Sequence, residues 1–117
     1  MSESVEARPI HLTATAEADI AQTVRWSSRQ FGPRRARIYA ETLTLAIEAL
    51  IEEPGAINVN GRGDIGKGLM SLHVARHGRK GRHFLIFRIR RRAGNKVVEV
   101  LRLLHDSMDL ARHLPAA

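Results

Sequence analysis

The chain has 117 residues, the length of a single domain, and its formal net charge at pH 7 is +7, with 19 Lys and Arg against 12 Asp and Glu. It contains no cysteine, which excludes disulfides, thiolate metal sites and cysteine nucleophiles and suits a reducing compartment. No apolar run approaches the roughly 20 residues of a membrane-spanning helix, and the N-terminus lacks the order of a signal peptide, so we expect one cytoplasmic domain over residues 1–117 with no membrane segment.

The chain begins with a pattern that predicts a short strand and then a helix. In "RPIHLT", Ile10 and Leu12 alternate with polar residues, which is typical of a strand, and the proline suits a sheet edge. Thr13 or Thr15 then serves as the N-cap of a helix that ends at Gly32. The apolar stripe predicted for this helix consists of Ile20, Val24 and Phe31.

A second helix is predicted to begin at Pro33 and to end before Pro54. Because almost no residues separate the two helices, they are expected to fold back as a hairpin. Residues 55–68 are rich in Gly and Asn and predict a surface loop. The apolar positions that repeat with helical spacing in the second helix are Ala36, Tyr39, Leu43, Ile47, Leu50 and Ile51.

Three strand-like runs complete the chain, beginning at Leu69, Arg82 and Lys96. The short connections at residues 78–81 and 93–95 predict hairpins and therefore an antiparallel meander. The element order β-α-α-β-β-β predicts a two-layer α+β domain in which the helical hairpin packs on a four-stranded, mainly antiparallel sheet.

The last two strands carry apolar residues on both faces, because side chains alternate along a strand. Two helices cover only one face of a sheet, so the other face keeps large apolar side chains that need a cover. We expect a protein partner on this face; the alternative is that the N-terminal segment or the chain end folds over it. The residues predicted to form the uncovered face are Leu85, Phe87, Ile89, Val97, Leu101 and Leu103.

Positive charge is concentrated in the second half of the chain. Residues 1–58 hold six Lys and Arg and eight Asp and Glu, whereas residues 59–117 hold 13 and four. This asymmetry favours an anionic partner, either nucleic acid or an acidic protein, although charged residues at sheet edges and turns also serve solubility. The residues predicted to form a basic surface for a target are Arg79, Lys80, Arg90, Arg91 and Arg92.

The histidines raise the possibilities of a metal site and of acid–base chemistry. His73 and His77 share a strand face, but no carboxylate or cysteine between residues 65 and 98 completes a site, so no metal is expected. A metal-independent ribonuclease needs a general base, a general acid and cations for the scissile phosphate. The residues that nominally fill these roles are Arg76, Arg82, His83, Arg88 and His105, a group that includes no carboxylate.

The stretch "LLHDSMD" marks the end of the last strand. Asp106 is well placed to be the N-cap of a short terminal helix, with Asp109 at the third position of that helix. His105 and both aspartates are then interpreted as a strand-to-helix junction rather than as an active site.

The segments "ADIAQTVRWSSRQFG" (residues 18–32), "GRHFLIFRI" (81–89) and above all "VEVLRLLHDSMD" (98–109), together with Pro54, resemble the ParE branch of the RelE/ParE toxins of bacterial toxin–antitoxin pairs. This resemblance implies the β-α-α-β-β-β fold derived above and a toxin neutralised by a ParD-like antitoxin that wraps around it. The antitoxin would cover the second sheet face, and DNA contact would occur only through the antitoxin.

The resemblance also implies a target. ParE-type toxins poison DNA gyrase and are not known as hydrolases, so no cofactor is expected. The alternative is the RelE branch, which cuts messenger RNA on the ribosome with basic residues and often a terminal tyrosine or histidine. The one tyrosine of this chain, Tyr39, is predicted on the second helix, away from such a set.

Overall fold

A computed structural model describes residues 10–52, 60–61, 68–76 and 78–107. Two helices and five strands lie in these residues, in the order β1, α1, α2, β2, β3, β4, β5. None of the helices in the described part is long and apolar enough to cross a membrane. The element bounds are β1 Ile10–Leu12, α1 Ala14–Phe31, α2 Pro33–Glu52, β2 Asn60–Gly61, β3 Met70–His73, β4 His83–Arg92 and β5 Asn95–His105.

The helical hairpin begins and turns at the residues predicted from the sequence. Thr13 is the N-cap of α1, because its hydroxyl accepts a hydrogen bond from the Ala16 amide at 3.0 Å. Gly32 separates the helices with a φ of 91°, a conformation that glycine adopts without strain. The Thr13 hydroxyl also donates to the Leu101 carbonyl at 3.0 Å, so the same cap ties α1 to β5.

The predicted two-layer α+β architecture is confirmed, with one addition to the sheet. The strand order is β1-β5-β4-β3-β2, in which β1 is parallel to β5 and the other neighbours are antiparallel. The two-residue strand β2 lies in the segment predicted as a loop, where it pairs with Ser71 and Met70. An edge strand presents unpaired amides and carbonyls, and β2 pairs with some of those of β3.

The set of residues predicted to form the uncovered face is wrong for two reasons: Leu85 and Phe87 of β4 lie on the side that packs in the main core, and β5 contains a bulge. Ile86 pairs with Arg102 and Phe87 pairs with Val100, so Leu101 has no partner of its own on β4. Beyond the bulge the alternation of β5 is reversed. Leu103 therefore lies with Leu85 and Phe87 in the main core, together with Leu43, Leu50, Val98 and Val100.

The opposite sheet face is also buried. Ile86, Leu101 and Leu104 are at most 9% exposed and form a second cluster with Leu69 and Phe84. The chain ends, which were the alternative cover for this face, lie outside the described residues. Of the residues predicted to form the uncovered face, only Ile89 is exposed, while Val97 is half-buried.

The exposed large apolar side chains of the described part lie mainly on the helices: Trp26, Phe31, Ile38 and Leu45. Phe31 was expected in the buried stripe of α1 and is not there.

Candidate functional site

The connection between β3 and β4 is held tightly against α2. Arg79 donates from Nε to the Thr42 hydroxyl and from Nη2 to the Ile38 carbonyl, both at 3.0 Å, and forms an ion pair with Glu41 at 2.9 Å. Arg79 was predicted to bind a target, but these contacts use its guanidinium inside the protein. The connection passes so close to α2 that a Cβ at Gly81 would lie 3.0 Å from the ring of Tyr39.

This packing brings Tyr39 of α2 to the start of β4. The Tyr39 hydroxyl lies 2.6 Å from His83 Nδ1 and accepts a hydrogen bond from the Arg82 amide at 3.2 Å. The hydroxyl keeps its proton available for His83 Nδ1, which accepts it in the tautomer that carries the ring proton on Nε2. Burial lowers the pKa of His83 to about 4, with repulsion from His105 as the next cause, and burial raises the pKa of Tyr39. His83 is therefore neutral at physiological pH, and Tyr39 remains protonated.

Asp106, at the end of β5, is the anionic centre of the site. Arg82 donates from Nε to Asp106 Oδ2 at 3.1 Å and from Nη2 to Oδ1 at 2.9 Å, which is the bidentate geometry of an arginine–carboxylate ion pair. His73 Nε2 lies 3.1 Å from Asp106 Oδ2. The His73 Nδ1 accepts the Ala75 amide, so Nε2 carries the proton and donates it. Hydrogen bonds from Arg82 and then His73 hold the pKa of Asp106 well below its usual range.

His105 completes this group of side chains. Its Nδ1 accepts from the Ser107 amide at 3.1 Å and lies 2.7 Å from the Ser107 hydroxyl. Its ring meets the His83 ring edge to face, with centroids 5.2 Å apart. Tyr39, His73, Arg82, His83, His105 and Asp106 are called the histidine cluster below.

The predicted nuclease set is only partly brought together. Arg82, His83 and His105 meet in the histidine cluster, whereas Arg88 binds Glu99 at 2.7 Å farther along β4. Arg76 lies in the β3–β4 connection, where its carbonyl accepts the Arg79 amide. The predicted set lacked Tyr39, which joins the cluster from α2, and His73, which was considered only as a metal ligand. Asp106, the neighbour of His105, was interpreted as a helix cap.

The carboxylate of Asp106 binds Arg82 and His73. Side chains therefore cross-link the end of β5 to β3 and to the residue that precedes β4. The segment predicted as the terminal helix, including Asp109, lies outside the described residues, so the helix cap at Asp106 stays a prediction.

The predicted basic surface is divided between two ends of the sheet. Lys80 precedes β4, whereas Arg90 and Arg91 lie near its far end; a ten-residue strand is about 30 Å long. Arg90 lies 3.6 Å from Glu99. Burial raises the pKa of Glu99, but hydrogen bonds and attraction from Arg88 and Arg90 outweigh burial and lower it overall. The Arg92 side chain lies outside the described part of the structure.

A groove of about 690 Å³ lies between the helical hairpin and the β3–β4 connection. Four members of the histidine cluster line it: Tyr39, Arg82, His83 and His105. The other lining residues are Trp26, Ser27, Phe31, Arg34, Arg35, Ile38, Lys80 and Gly81. No group of three or more potential metal ligands occurs among the described residues. The groove thus combines exposed aromatic rings with cations, which is a composition suited to binding rather than to metal chemistry.

The chain is similar to known proteins over most of its length. A family model described as "ParE toxin of type II toxin-antitoxin system, parDE" matches residues 10–110. The chain is similar to Toxin ParE1 of Caulobacter vibrioides, with 30% identity over 108 residues that cover 92% of this chain and 98% of that protein.

Two solved structures share the fold. One is from the chromosomal ParDE TA system of P. aeruginosa, with a TM-score of 0.67 and 18% identity over 85% of this chain and 96% of that chain. The other is the YoeB/ParE toxin of Agrobacterium tumefaciens, with a TM-score of 0.53 and 16% identity over 83% of this chain and 96% of that chain.

Proposed function

The chain belongs to the ParE toxins of type II toxin–antitoxin systems, and from that premise we propose that it inhibits DNA gyrase and is neutralised by a ParD-like antitoxin. The observation that carries the proposal is the similarity to Toxin ParE1, which extends over nearly the whole of both chains. The related P. aeruginosa structure comes from a ParDE system, which supports an antitoxin of the ParD type. We further propose that the protein acts in the cytoplasm, without a cofactor, and meets DNA only through its antitoxin.

The chemistry of the histidine cluster supports binding rather than hydrolysis. A general acid or base works best when its pKa is near the operating pH. Burial lowers the pKa of His83 to about 4, and its Nδ1 is occupied by Tyr39. The carboxylate nearest to it, Asp106, is held ionised by Arg82 and His73. His83 and Asp106 are engaged by other side chains of the protein rather than poised for proton transfer, and this favours a gyrase inhibitor over the alternative of an mRNA nuclease.

Assays on gyrase and on ribosomes separate the two mechanisms. Purified protein is expected to inhibit DNA supercoiling by gyrase or to trap the cleaved DNA complex, while ribosome-bound mRNA stays intact. Induction in a susceptible bacterium is expected to stop DNA synthesis before translation falls. Cleavage of ribosomal mRNA with normal supercoiling would instead assign the protein to the RelE-type mechanism.

The exposed cations provide a second, internal test of the proposal. Charge neutralisation at Lys80, Arg90 and Arg91 is expected to weaken gyrase inhibition, and the effect should shrink as salt is raised, because salt screens exposed charges. The matched control is Arg37→Gln, which removes an exposed positive charge of α2 outside the predicted basic surface. If neutralising all three exposed cations leaves gyrase inhibition unchanged, these residues do not belong to the surface that binds the target.

A further inference from the structure

Three cations line the groove without an ion-pair partner among the described residues. Arg34 and Arg35 lie in the first turn of α2, and Lys80 lies in the β3–β4 connection. The fourth lining cation, Arg82, is paired with Asp106. None of the described residues that line the groove is Asp or Glu. The groove therefore carries an excess of positive charge, which favours an anionic ligand.

The two imidazoles that line the groove add hydrogen-bond donors. His83 Nδ1 accepts from the Tyr39 hydroxyl and His105 Nδ1 accepts from the Ser107 amide, so each ring carries a proton on Nε2. Neither Nε2 forms a hydrogen bond within the part of the chain that the structure describes. Because a partly buried N–H without an acceptor is costly, these donors favour a ligand that presents oxygen atoms to them. Phosphate groups supply both the negative charge and the oxygen acceptors.

Two exposed aromatic rings line the same groove. Trp26 is 48% exposed and Phe31 is 57% exposed, and their rings lie 5.7 Å apart at an angle of 81°. Rings at nearly a right angle form a corner, in which one planar group stacks on one ring and meets the edge of the other. Proteins that follow single-stranded nucleic acid instead stack successive bases on successive aromatic side chains. One corner is suited to one base.

We propose that the groove binds a free nucleoside di- or triphosphate. Its volume of about 690 Å³ lies within the range of about 300–1,000 Å³ that is typical of small-molecule sites. The base stacks on Trp26 beside Phe31, the three unpaired cations bind the phosphates, and the two imidazoles donate to the remaining oxygens. More than one phosphate is expected, because a single phosphate monoester carries only about −1.5 to −2 charges at pH 7. The nucleotide is a ligand and not a reactant, and its site goes beyond gyrase inhibition and antitoxin binding.

Calorimetric titration of the purified full-length protein tests the proposal. ATP, GTP, CTP and UTP are titrated separately at low salt, and at least one is expected to bind with a Kd below about 1 mM. The matching nucleoside and inorganic tripolyphosphate should each bind about tenfold more weakly or worse, since each lacks one half of the recognised chemistry. Trp26 is the one tryptophan of the chain, so a base stacked on it should also change the intrinsic fluorescence of the protein.

Variants separate the base from the phosphates, and the tightest-binding nucleotide is used for all of them. Trp26→Ala should weaken binding about tenfold, because an aromatic ring that stacks on a base typically contributes that much, and Trp26→Phe should weaken it less. Arg34→Gln with Arg35→Gln should weaken binding at least about tenfold at low salt and less at high salt, because salt screens exposed charges.

The matched controls remove similar groups outside the groove lining. Leu45→Ala truncates an exposed apolar side chain of α2, and Arg37→Gln with Lys96→Gln removes two exposed positive charges. Both controls should bind the nucleotide within about threefold of the wild type, because surface changes away from a site have small effects. Circular dichroism checks that every variant is folded.

Four results would overturn the proposal. The first is a wild type that binds none of the nucleoside triphosphates with a Kd below about 1 mM, and the second is a set of folded groove variants that bind as tightly as the controls. The third is tripolyphosphate that binds as tightly as the nucleotide, which would make the groove a site for anions in general. The fourth is a single-stranded oligoribonucleotide of the same base that binds more than about tenfold tighter than the nucleotide, which would assign the groove to nucleic acid.

Discussion

Replacing Tyr39 with phenylalanine removes one hydroxyl group and the two hydrogen bonds that join α2 to the start of β4. The bond to His83 Nδ1 is short, 2.6 Å, and partly buried, whereas the bond from the Arg82 amide is 3.2 Å and exposed. The ring itself stays in place, since phenylalanine fills the same space against Gly81 and Val74. The substitution therefore isolates the contribution of the hydroxyl.

The expected loss follows from what each partner does when the hydroxyl is gone. The Arg82 amide binds water at little cost because it is exposed. His83 Nδ1 is left without its hydrogen-bond partner in a half-buried position, which costs about 1–2 kcal/mol. We expect the free energy of unfolding to fall by about 1.5 kcal/mol, and with an m-value of about 1.5 kcal/mol per M the urea midpoint falls by about 1 M.

Equilibrium urea unfolding at neutral pH, followed by circular dichroism, measures this loss. The control is Thr44→Val, which removes an exposed hydroxyl that binds the Ala40 carbonyl of its own helix. This control should change stability by less than about 0.5 kcal/mol. If Tyr39→Phe were no more destabilising than Thr44→Val, the hydrogen bond to His83 would not stabilise the fold and the reasoning would be refuted.

Three further predictions concern the same region. Asp106→Asn should lower the urea midpoint at neutral pH. Because the pKa of Asp106 in the folded protein is held below its unfolded value of 3.8, the stability that the carboxylate contributes is lost as pH falls below that value. A difference in stability between variant and wild type that persists in acid would contradict the prediction. Burial lowers the pKa of His83 from 6.5 to about 4, so wild-type stability should decline as pH falls through this window, and His83→Gln should flatten the decline; identical pH profiles would disprove it. Gly81→Ala should lower the free energy of unfolding in urea by about 1–3 kcal/mol, because its Cβ would lie 2.6 Å from a Val74 methyl group. The control Gly94→Asn should be tolerated, since asparagine adopts the φ of 82° found there. Equal effects of the two substitutions would contradict the packing argument.

The sequence by itself determined the elements whose signals are local. Thr13, Gly32 and Pro33 mark the ends of the two helices, and each acts on backbone within a few residues of itself. The turn between β4 and β5 is equally local, since Ala93 and Gly94 both have positive φ, as the tight hairpin requires. Element order and layer arrangement followed from these signals, and the resemblance carried by the strand ending was sufficient to identify the family.

The tertiary structure alone decided which sheet residues face the helices. Period-two alternation assumes a regular ladder, and the bulge at Leu101 breaks it. A bulge depends on how β5 pairs with β4 and leaves no signal in the strand's own pattern. The bulge explains why Leu103 was placed on the wrong side. Leu85 and Phe87 lie on β4, whose alternation is regular but does not show which side the helices cover, and all three residues are in the core.

The candidate site also required the tertiary structure, because its members are far apart in the chain. Tyr39 is 44 residues from His83, and Asp106 is 24 residues from Arg82 and 33 from His73. No local pattern connects such positions. They meet because the β3–β4 connection docks on α2 and the end of β5 lies beside β4. The exposed apolar surface of Trp26, Phe31, Ile38 and Leu45 also became visible only in the tertiary structure. Helical spacing predicts that a helix has an apolar face, but only packing decides which apolar residues the sheet leaves uncovered.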